Sequence, residues 1–235
     1  MEIKIFNHPS NNENGGDEYS YFIYYPNYFN DKEKCYTRHY LDSMDDFRYN
    51  INSNRTGNVR LQKWYQVNGK YFCSKWKDIL PWWESFNYDK TLINIQKKII
   101  FDISHKTILG NLFDKYNIPI PKINSCLINK YRDGHDHIAP HSDTYHSFGK
   151  CPTICGLSIG ASRILRIKSV VNNYQKVNGL SKIDKAHQDW NFNYLLEDGS
   201  LFIMAGASQK YFSHEIVKNM SSKVRYSLTF REFII

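Results

Sequence analysis

Residues 225–231 read RYSLTFR, and no other stretch restricts the fold so tightly. On a strand, side chains alternate between the two faces. Arg225, Ser227, Thr229 and Arg231 then point one way, and Tyr226, Leu228 and Phe230 point the other. The apolar set needs a packed layer behind it. The opposite set sends two guanidinium groups into an otherwise apolar barrel, which is costly unless anions meet them. Carboxylates of the protein could do so. A bound dicarboxylate could also do so, because arginine grips carboxylates bidentately.

The C-terminal half supplies further strands. INSCLINKY (123–131) alternates, TICGLSIG (153–160) and RILRIKSV (163–170) are separated by small residues, and GSLFIMAG (199–206) ends at them. Residues 172–193 read as a polar insertion between strands. Upstream, residues 89–109 predict an amphipathic helix capped by Asp89, with Leu92, Ile95, Ile99, Ile103 and Ile108 on one stripe. Residues 39–51 predict a short helix, and the polar residues 7–19 a loop or arm. RLQKWYQVNGKYFCSKW (60–76) predicts a hairpin about Asn68-Gly69. Helices followed by a run of strands point to an α+β, mostly β fold rather than a βαβ parallel sheet.

A chain of 235 residues with 41% hydrophobic content supports one sizeable core, or at most two small ones. The net charge of +8 favours anionic partners such as nucleic acid, although the lysines are scattered and form no basic tail. Five cysteines, an odd number, fit reduced thiols inside a cell better than a disulfide scaffold. The spacing of Cys151 and Cys155 is a weak zinc cue with no second pair beside it. No stretch approaches the ~20 apolar residues that cross a bilayer, and the N-terminus lacks the apolar core of a signal peptide. The expectation is a soluble, intracellular protein, cytoplasmic or nuclear, acting as a monomer.

GHDHIAPHSDTYHSFG (134–149) raises the question of a metal. His137 and His141 would share a helix face, but Pro140 falls inside that turn and the glutamate of a zinc-protease helix is missing. In extended chain the candidate pairs are His135 with His137, or His141 with Asp143. Pro140 biases Ala139 toward extended geometry, so His141-Ser142-Asp143 begins in extended chain. His-x-Asp is the first part of a two-histidine, one-carboxylate triad, which leaves positions open on Fe(II) for a bidentate co-substrate and dioxygen. His214 in QKYFSHEI is the candidate distal ligand, and His135 and His137 read as a polar loop at the rim. Asn129 and Tyr131 share a strand face just before the motif and could donate to the same dicarboxylate.

Taken in order, NKYRDG, HSD, LSIGASR, GSLFIMAGASQKYFSH and RYSLTFR resemble the AlkB family of Fe(II)/2-oxoglutarate-dependent dioxygenases over roughly residues 122–233. RYSLTFR and LSIGASR are most similar to its nucleic-acid-repair branch. The resemblance implies a double-stranded β-helix, or jelly roll, with Fe(II), 2-oxoglutarate and O2 as cofactors. It implies His141, Asp143 and His214 as iron ligands. It gives Asn129, Tyr131, Ser227, Arg225 and Arg231 to the co-substrate, with Arg225 at the distal carboxylate and Arg231 toward the iron. The implied reaction is oxidative demethylation of N-alkylated bases in DNA or RNA, a form of alkylation repair that releases formaldehyde, succinate and CO2.

Residues 60–72 are similar, less closely, to the family's nucleotide-recognition lid. This would put Arg60, Trp64, Tyr65 and Phe72 near the substrate, where rings can support an unstacked base. The implied division is an N-terminal extension and lid over 1–90, and a helix plus jelly roll over 91–235, integrated into one catalytic domain. Arg163 matches an arginine after SxGAxR. Tyr145 stands where many relatives carry an acid that helps recognise a cationic base, which makes it a candidate substrate contact. Ser227 stands where relatives often carry Asn. Rival readings are an oxygenase acting on a protein side chain or a regulatory base modification, and a nucleic-acid-binding module with an inert barrel. The last predicts loss of an iron ligand or an arginine, and all are present.

Overall fold

Alternating side chains build two antiparallel sheets that pack face to face. The computed structural model describes residues 1–8, 18–49, 60–67, 84–170, 190–220 and 222–234. The larger, eight-stranded sheet runs β1 (Glu2–His8), β2 (Glu18–Tyr25), β10 (Leu201–Gly206), β7 (Ile154–Gly160), β12 (Arg225–Arg231), β5 (Ser125–Tyr131), β4 (Leu61–Gln66) and β3 (Arg48–Tyr49). The smaller, four-stranded sheet runs β6 (Ile138–His141), β11 (Phe212–Ile216), β8 (Arg163–Ser169) and β9 (Asn191–Leu196).

Parity along each strand of the larger sheet decides which core a residue joins. Tyr226, Leu228 and Phe230 of β12, Cys155 and Leu157 of β7, and Ile203 of β10 face outward into a helix-covered core. Their sequence neighbours Ile154, Phe202 and Met204 face inward, toward Leu165, Ile167, Tyr194 and Phe212 of the smaller sheet. Phe22 of β2 meets Phe212 of β11 edge-on, with centroids 5.0 Å apart.

The outer face is covered by helices α1 (Asp31–Asp42), α2 (Lys90–Ser104) and α3 (Ile108–Lys115). Asp89 caps α2 by accepting the Leu92 N–H at 3.0 Å. Leu92, Ile95, Ile99 and Ile103 are buried along its inner stripe, each worth roughly 1.5–3 kcal/mol of transfer free energy. Two short helical turns, α4 (Tyr145–Phe148) and α5 (Ser208–Tyr211), flank the ends of β6 and β11.

Several expectations are corrected. The predicted helix over 89–109 ends at Ser104, because Thr107 caps a new helix by accepting the Gly110 N–H at 3.1 Å. Ile108 opens that helix and is exposed. The helix expected at 39–51 lies earlier, where Asn30 and Glu33 form a reciprocal capping box. Residues 48–49 are strand instead. The chain does not begin with helices, since β1 and β2 precede them and pair antiparallel from Glu2 opposite Tyr24 to His8 opposite Glu18. Residues 7, 8, 18 and 19 are thus strand rather than loop. The Asn68-Gly69 turn, Phe72 and most of the 172–193 insertion lie outside the described residues, and β9 begins within the insertion's last residues.

Candidate active site

Strand register assembles the floor of the site. Because β12 lies between β5 and β7, Ser227 opposes Asn129 on one side and Ser158 on the other, and Asn129 also opposes Gln62 of β4. Two residues along, Arg225 lies between Tyr131 and Gly160. The result is a polar band across four strands, facing the smaller sheet. Asn129 Oδ1 accepts from Arg60 Nε at 2.7 Å and from Gln62 Nε2 at 3.0 Å. Arg225 Nη2 donates to Ser158 Oγ at 2.9 Å, and its guanidinium lies 5.1 Å from the Tyr131 ring centroid.

Arg225 is 1% exposed, and its Nε and Nη1 have no hydrogen-bond partner among the described residues. No described carboxylate pairs with it, and burial pushes its pKa down. Arg231 differs, because it donates to the Asp143 carboxylate and lies 4.3 Å from the Phe148 ring centroid. Of the two ways to satisfy these arginines, a protein carboxylate thus serves Arg231, while Arg225 still lacks an anion.

The smaller sheet supplies a second group. β6 and β11 are neighbours and set His141 opposite His214, with ring centroids 4.2 Å apart. Asp143 follows β6 in a segment tied down at two points. Gln209 Oε1 accepts the Asp143 N–H at 2.8 Å, and Ser142 Oγ donates to the Phe212 carbonyl at 2.8 Å. One potential ligand atom from each of His141, Asp143 and His214 lies within 4.8 Å of the others.

Protonation in the trio suits a metal. His141 Nδ1 lies 2.9 Å from the Ala139 carbonyl, which can only accept, so Nδ1 carries the hydrogen and Nε2 keeps its lone pair. Burial is the main cause that pushes both imidazole pKa values down, to about 3 for His214, where His141 adds to the effect. Both rings are neutral at pH 7. Burial would raise the Asp143 pKa, but Arg231 and then the two histidines hold it below the usual carboxylate range. Two neutral imidazoles and one carboxylate form a donor set that fits Fe(II) with positions left open.

A cavity of about 290 Å³ joins the two groups, lined by Asn129, Tyr131, Arg225, Ser227 and Arg231 together with His141, Asp143 and His214. Arg60 and Gln62 also line it. Arg60 was expected near the substrate and instead sits among the co-substrate candidates. Gln62 was missed, though RLQKW alternation places it on the Arg60 face.

Other expected residues fall elsewhere. Tyr65 lies on the opposite face, buried in the helix-covered core, which corrects its placement near the substrate. Trp64 shares the Arg60 and Gln62 face of β4, opposite Leu127, but it is 2% exposed, packs with Phe148 and Phe233, and is not among the residues that line the cavity. Tyr145 is 54% exposed and lines a second cavity beside Asp143. His135 and His137 stay apart from the metal trio, and the His137 Nδ1 lies 3.0 Å from the His135 carbonyl. Cys155 is buried in the helix-covered core and Cys151 is exposed, so the two do not converge on a metal. Arg163 is fully buried and donates to the carbonyls of Asp133, Asp136 and Val217 at 3.2, 2.7 and 2.7 Å. It pins the turn that leads into β6.

Comparison with known proteins agrees with this geometry. "Alpha-ketoglutarate-dependent dioxygenase alkB homolog 3" of Mus musculus is 34% identical over 115 residues, which cover 46% of this chain and 36% of that protein. "DNA oxidative demethylase ALKBH2" of Arabidopsis thaliana is 29% identical over 122 residues, covering 48% and 39%. The match therefore spans little more than a third of these relatives' length. The resemblance to AlkB-like oxygenases read from the motifs is borne out by them. The crystal structure of the non-heme alpha ketoglutarate dependent epimerase SnoN from nogalamycin biosynthesis shares the fold, with a TM-score of 0.51 at 10% identity over 89% of this chain and 76% of that one. The profile of one family matches residues 23–231, nearly the whole length over which the sheets and the site are built, and the chain belongs to the 2OG-Fe(II) oxygenase superfamily.

Proposed function

We propose that this protein is an Fe(II)/2-oxoglutarate-dependent dioxygenase that oxidatively demethylates N-alkylated bases in DNA or RNA. The observation that carries the reading is Arg225, a fully buried guanidinium without a carboxylate partner among the described residues, facing the same cavity as His141, Asp143 and His214. A dicarboxylate co-substrate supplies the missing anion. Arg225, steadied by Ser158 and Tyr131, takes its distal carboxylate, while Asn129, Tyr131 and Ser227 line its path and Arg231 serves the end beside Asp143. His141, Asp143 and His214 hold the metal. When bound, iron supplies the oxidising chemistry that converts 2-oxoglutarate and O2 to succinate and CO2 and frees the methyl group as formaldehyde. The apolar wall of Ile154, Leu165 and Phe202 excludes water from that chemistry.

In this reading the two sheets are a jelly roll, and residues 60–72 belong to a substrate-recognition lid. Residues 1–90 supply the extension and lid, and residues 91–235 the oxygenase unit of one integrated domain. The nucleic-acid substrate is supported by the curated relatives and by the net charge of +8. No described helix is long and apolar enough to cross a membrane. The free thiols of Cys35, Cys126, Cys151 and Cys155 fit an intracellular enzyme, which this reading takes as a monomer. Succinate release tests the reading. Methylated oligonucleotide should stimulate it and methylated peptide should not, and the reverse preference would overturn the substrate assignment.

A further inference from the structure

The N-terminal strands reach the metal trio through one short helical turn. Asp143 is held by its backbone, because Gln209 Oε1 accepts the Asp143 N–H at 2.8 Å. Gln209 belongs to α5, a turn of four residues between β10 and β11. A turn this short has too few internal hydrogen bonds to hold its own shape. Whatever fixes α5 therefore fixes Gln209, and with it the carboxylate ligand.

That support comes from β2. The Tyr19 carbonyl accepts the N–H of Ala207, the residue that caps α5, at 2.8 Å. Glu18 Oε2 accepts from Lys210 Nζ and from the Tyr211 hydroxyl, both at 2.6 Å. Two adjacent residues of β2 thus grip both ends of α5. The approach is close. Gly206 has a φ of +62°, and a Cβ there would collide with the Tyr19 carbonyl. His8 of β1 braces the Tyr211 ring, with centroids 3.8 Å apart and planes 15° apart, and His8 Nε2 lies 2.8 Å from Ser20 Oγ. Burial alone would raise the Glu18 pKa, but the hydrogen bonds from Lys210 and Tyr211 hold it below the usual range. The clamp is therefore a carboxylate at neutral pH.

We infer that Glu18 is a positioning residue for the metal site, acting through α5 and Gln209 on Asp143. The inference rests on the reading that His141, Asp143 and His214 hold the iron. Glu18 makes its hydrogen bonds to Lys210 and Tyr211 and does not line the cavity between the sheets. An exposed ion pair by itself contributes little to global stability. Here one carboxylate oxygen takes the ammonium and the tyrosine hydroxyl together and restrains the turn that carries Gln209. Its loss is thus felt at the metal more than in unfolding. Glu18 precedes residue 23, where the superfamily match begins, so none of the family motifs announces this contact.

Anaerobic Co(II) titration tests this, since the visible absorption of bound Co(II) reports affinity and coordination geometry together. Glu18→Ala should weaken Co(II) binding about three- to tenfold. Glu18→Gln, whose amide oxygen still accepts from Tyr211, should keep most of the affinity. In a Gln209→Leu background, Glu18→Ala should cause no further loss, because both residues act along one line of contacts. A lower Tm in Glu18→Ala with unchanged Co(II) affinity and spectrum would make Glu18 a structural brace and overturn the inference. Additive losses in the double variant would overturn it too. Should Glu18→Ala not fold, Tyr211→Phe removes the hydroxyl's hydrogen bond alone and should still weaken Co(II) binding, and unchanged affinity there counts against the clamp. Wild-type protein that binds no Co(II) would overturn the metal reading and this inference with it.

Discussion

The two faces of β12 are made by the same seven residues and do opposite work. On the outer face Tyr226, Leu228 and Phe230 are 0% exposed and pack beneath the helices. On the inner face Arg225 and Arg231 are almost as buried, at 1% and 3%, but line a cavity. Burial alone does not tell the faces apart; the state of the polar atoms does. The outer face satisfies itself by packing, and even the Tyr226 hydroxyl finds Asp42 at 2.8 Å. The inner face leaves guanidinium nitrogens without partners among the described residues, a cost that a folded chain sustains when a ligand relieves it.

The largest expected effect falls on the outer face. Leu228→Ala should lower stability by roughly 2–5 kcal/mol, seen as a lower Tm or denaturant midpoint, with little change in 2-oxoglutarate affinity of the folded fraction. Arg225→Met inverts this pattern. It should weaken 2-oxoglutarate binding roughly 100-fold or more while leaving the Tm equal or higher, because an unpaired buried charge is removed. Loss of both stability and affinity in either variant would break the distinction between the faces.

A smaller effect tests the smaller sheet's share of the site. Gln209→Leu removes the acceptor of the Asp143 N–H and should weaken metal binding by about 10–100-fold. Anaerobic Fe(II) or Co(II) titration would measure this, and unaltered metal affinity would show that Asp143 is oriented without it. The smallest effect is chemical. Burial pushes the Cys155 thiol up to about 12 and the Cys126 thiol up as well. Both lie on the outer face and should resist alkylation at pH 8 until the protein unfolds, whereas Cys151 on the surface should react. Native-state labelling mapped by mass spectrometry checks this, and prompt labelling of Cys155 would mean the helix layer opens readily.

The site was more legible in the sequence than the fold around it. Period-two alternation at RYSLTFR sorted the two faces without tertiary information. Strand spacing made His141 with Asp143 one of two candidate pairs and His214 a candidate distal ligand, and the resemblance to the AlkB family is what singled out the three. Asp89 announced its helix because capping is local. The N-terminal strands were not legible as sheet members. β2 pairs with β10, Tyr25 opposite Leu201, across most of the chain's length, and nothing near residue 25 encodes that partner. Tyr65 could have been placed by the same alternation, since RLQKWY sets residue 65 on the face opposite Arg60 and Gln62. Arg163 and Gln209 act on backbone carbonyls and a backbone N–H, which every residue has, so their partners leave no mark in the sequence.

The central claim is that one cavity holds Fe(II) on His141, Asp143 and His214 and a dicarboxylate on Arg225. Adding Fe(II) and 2-oxoglutarate to the protein without oxygen should produce a visible charge-transfer absorption. That band should vanish in His214→Ala. It should also be lost in Arg225→Met at co-substrate concentrations that saturate the wild type. Wild-type protein that binds neither, or a band that survives both substitutions, would contradict the account.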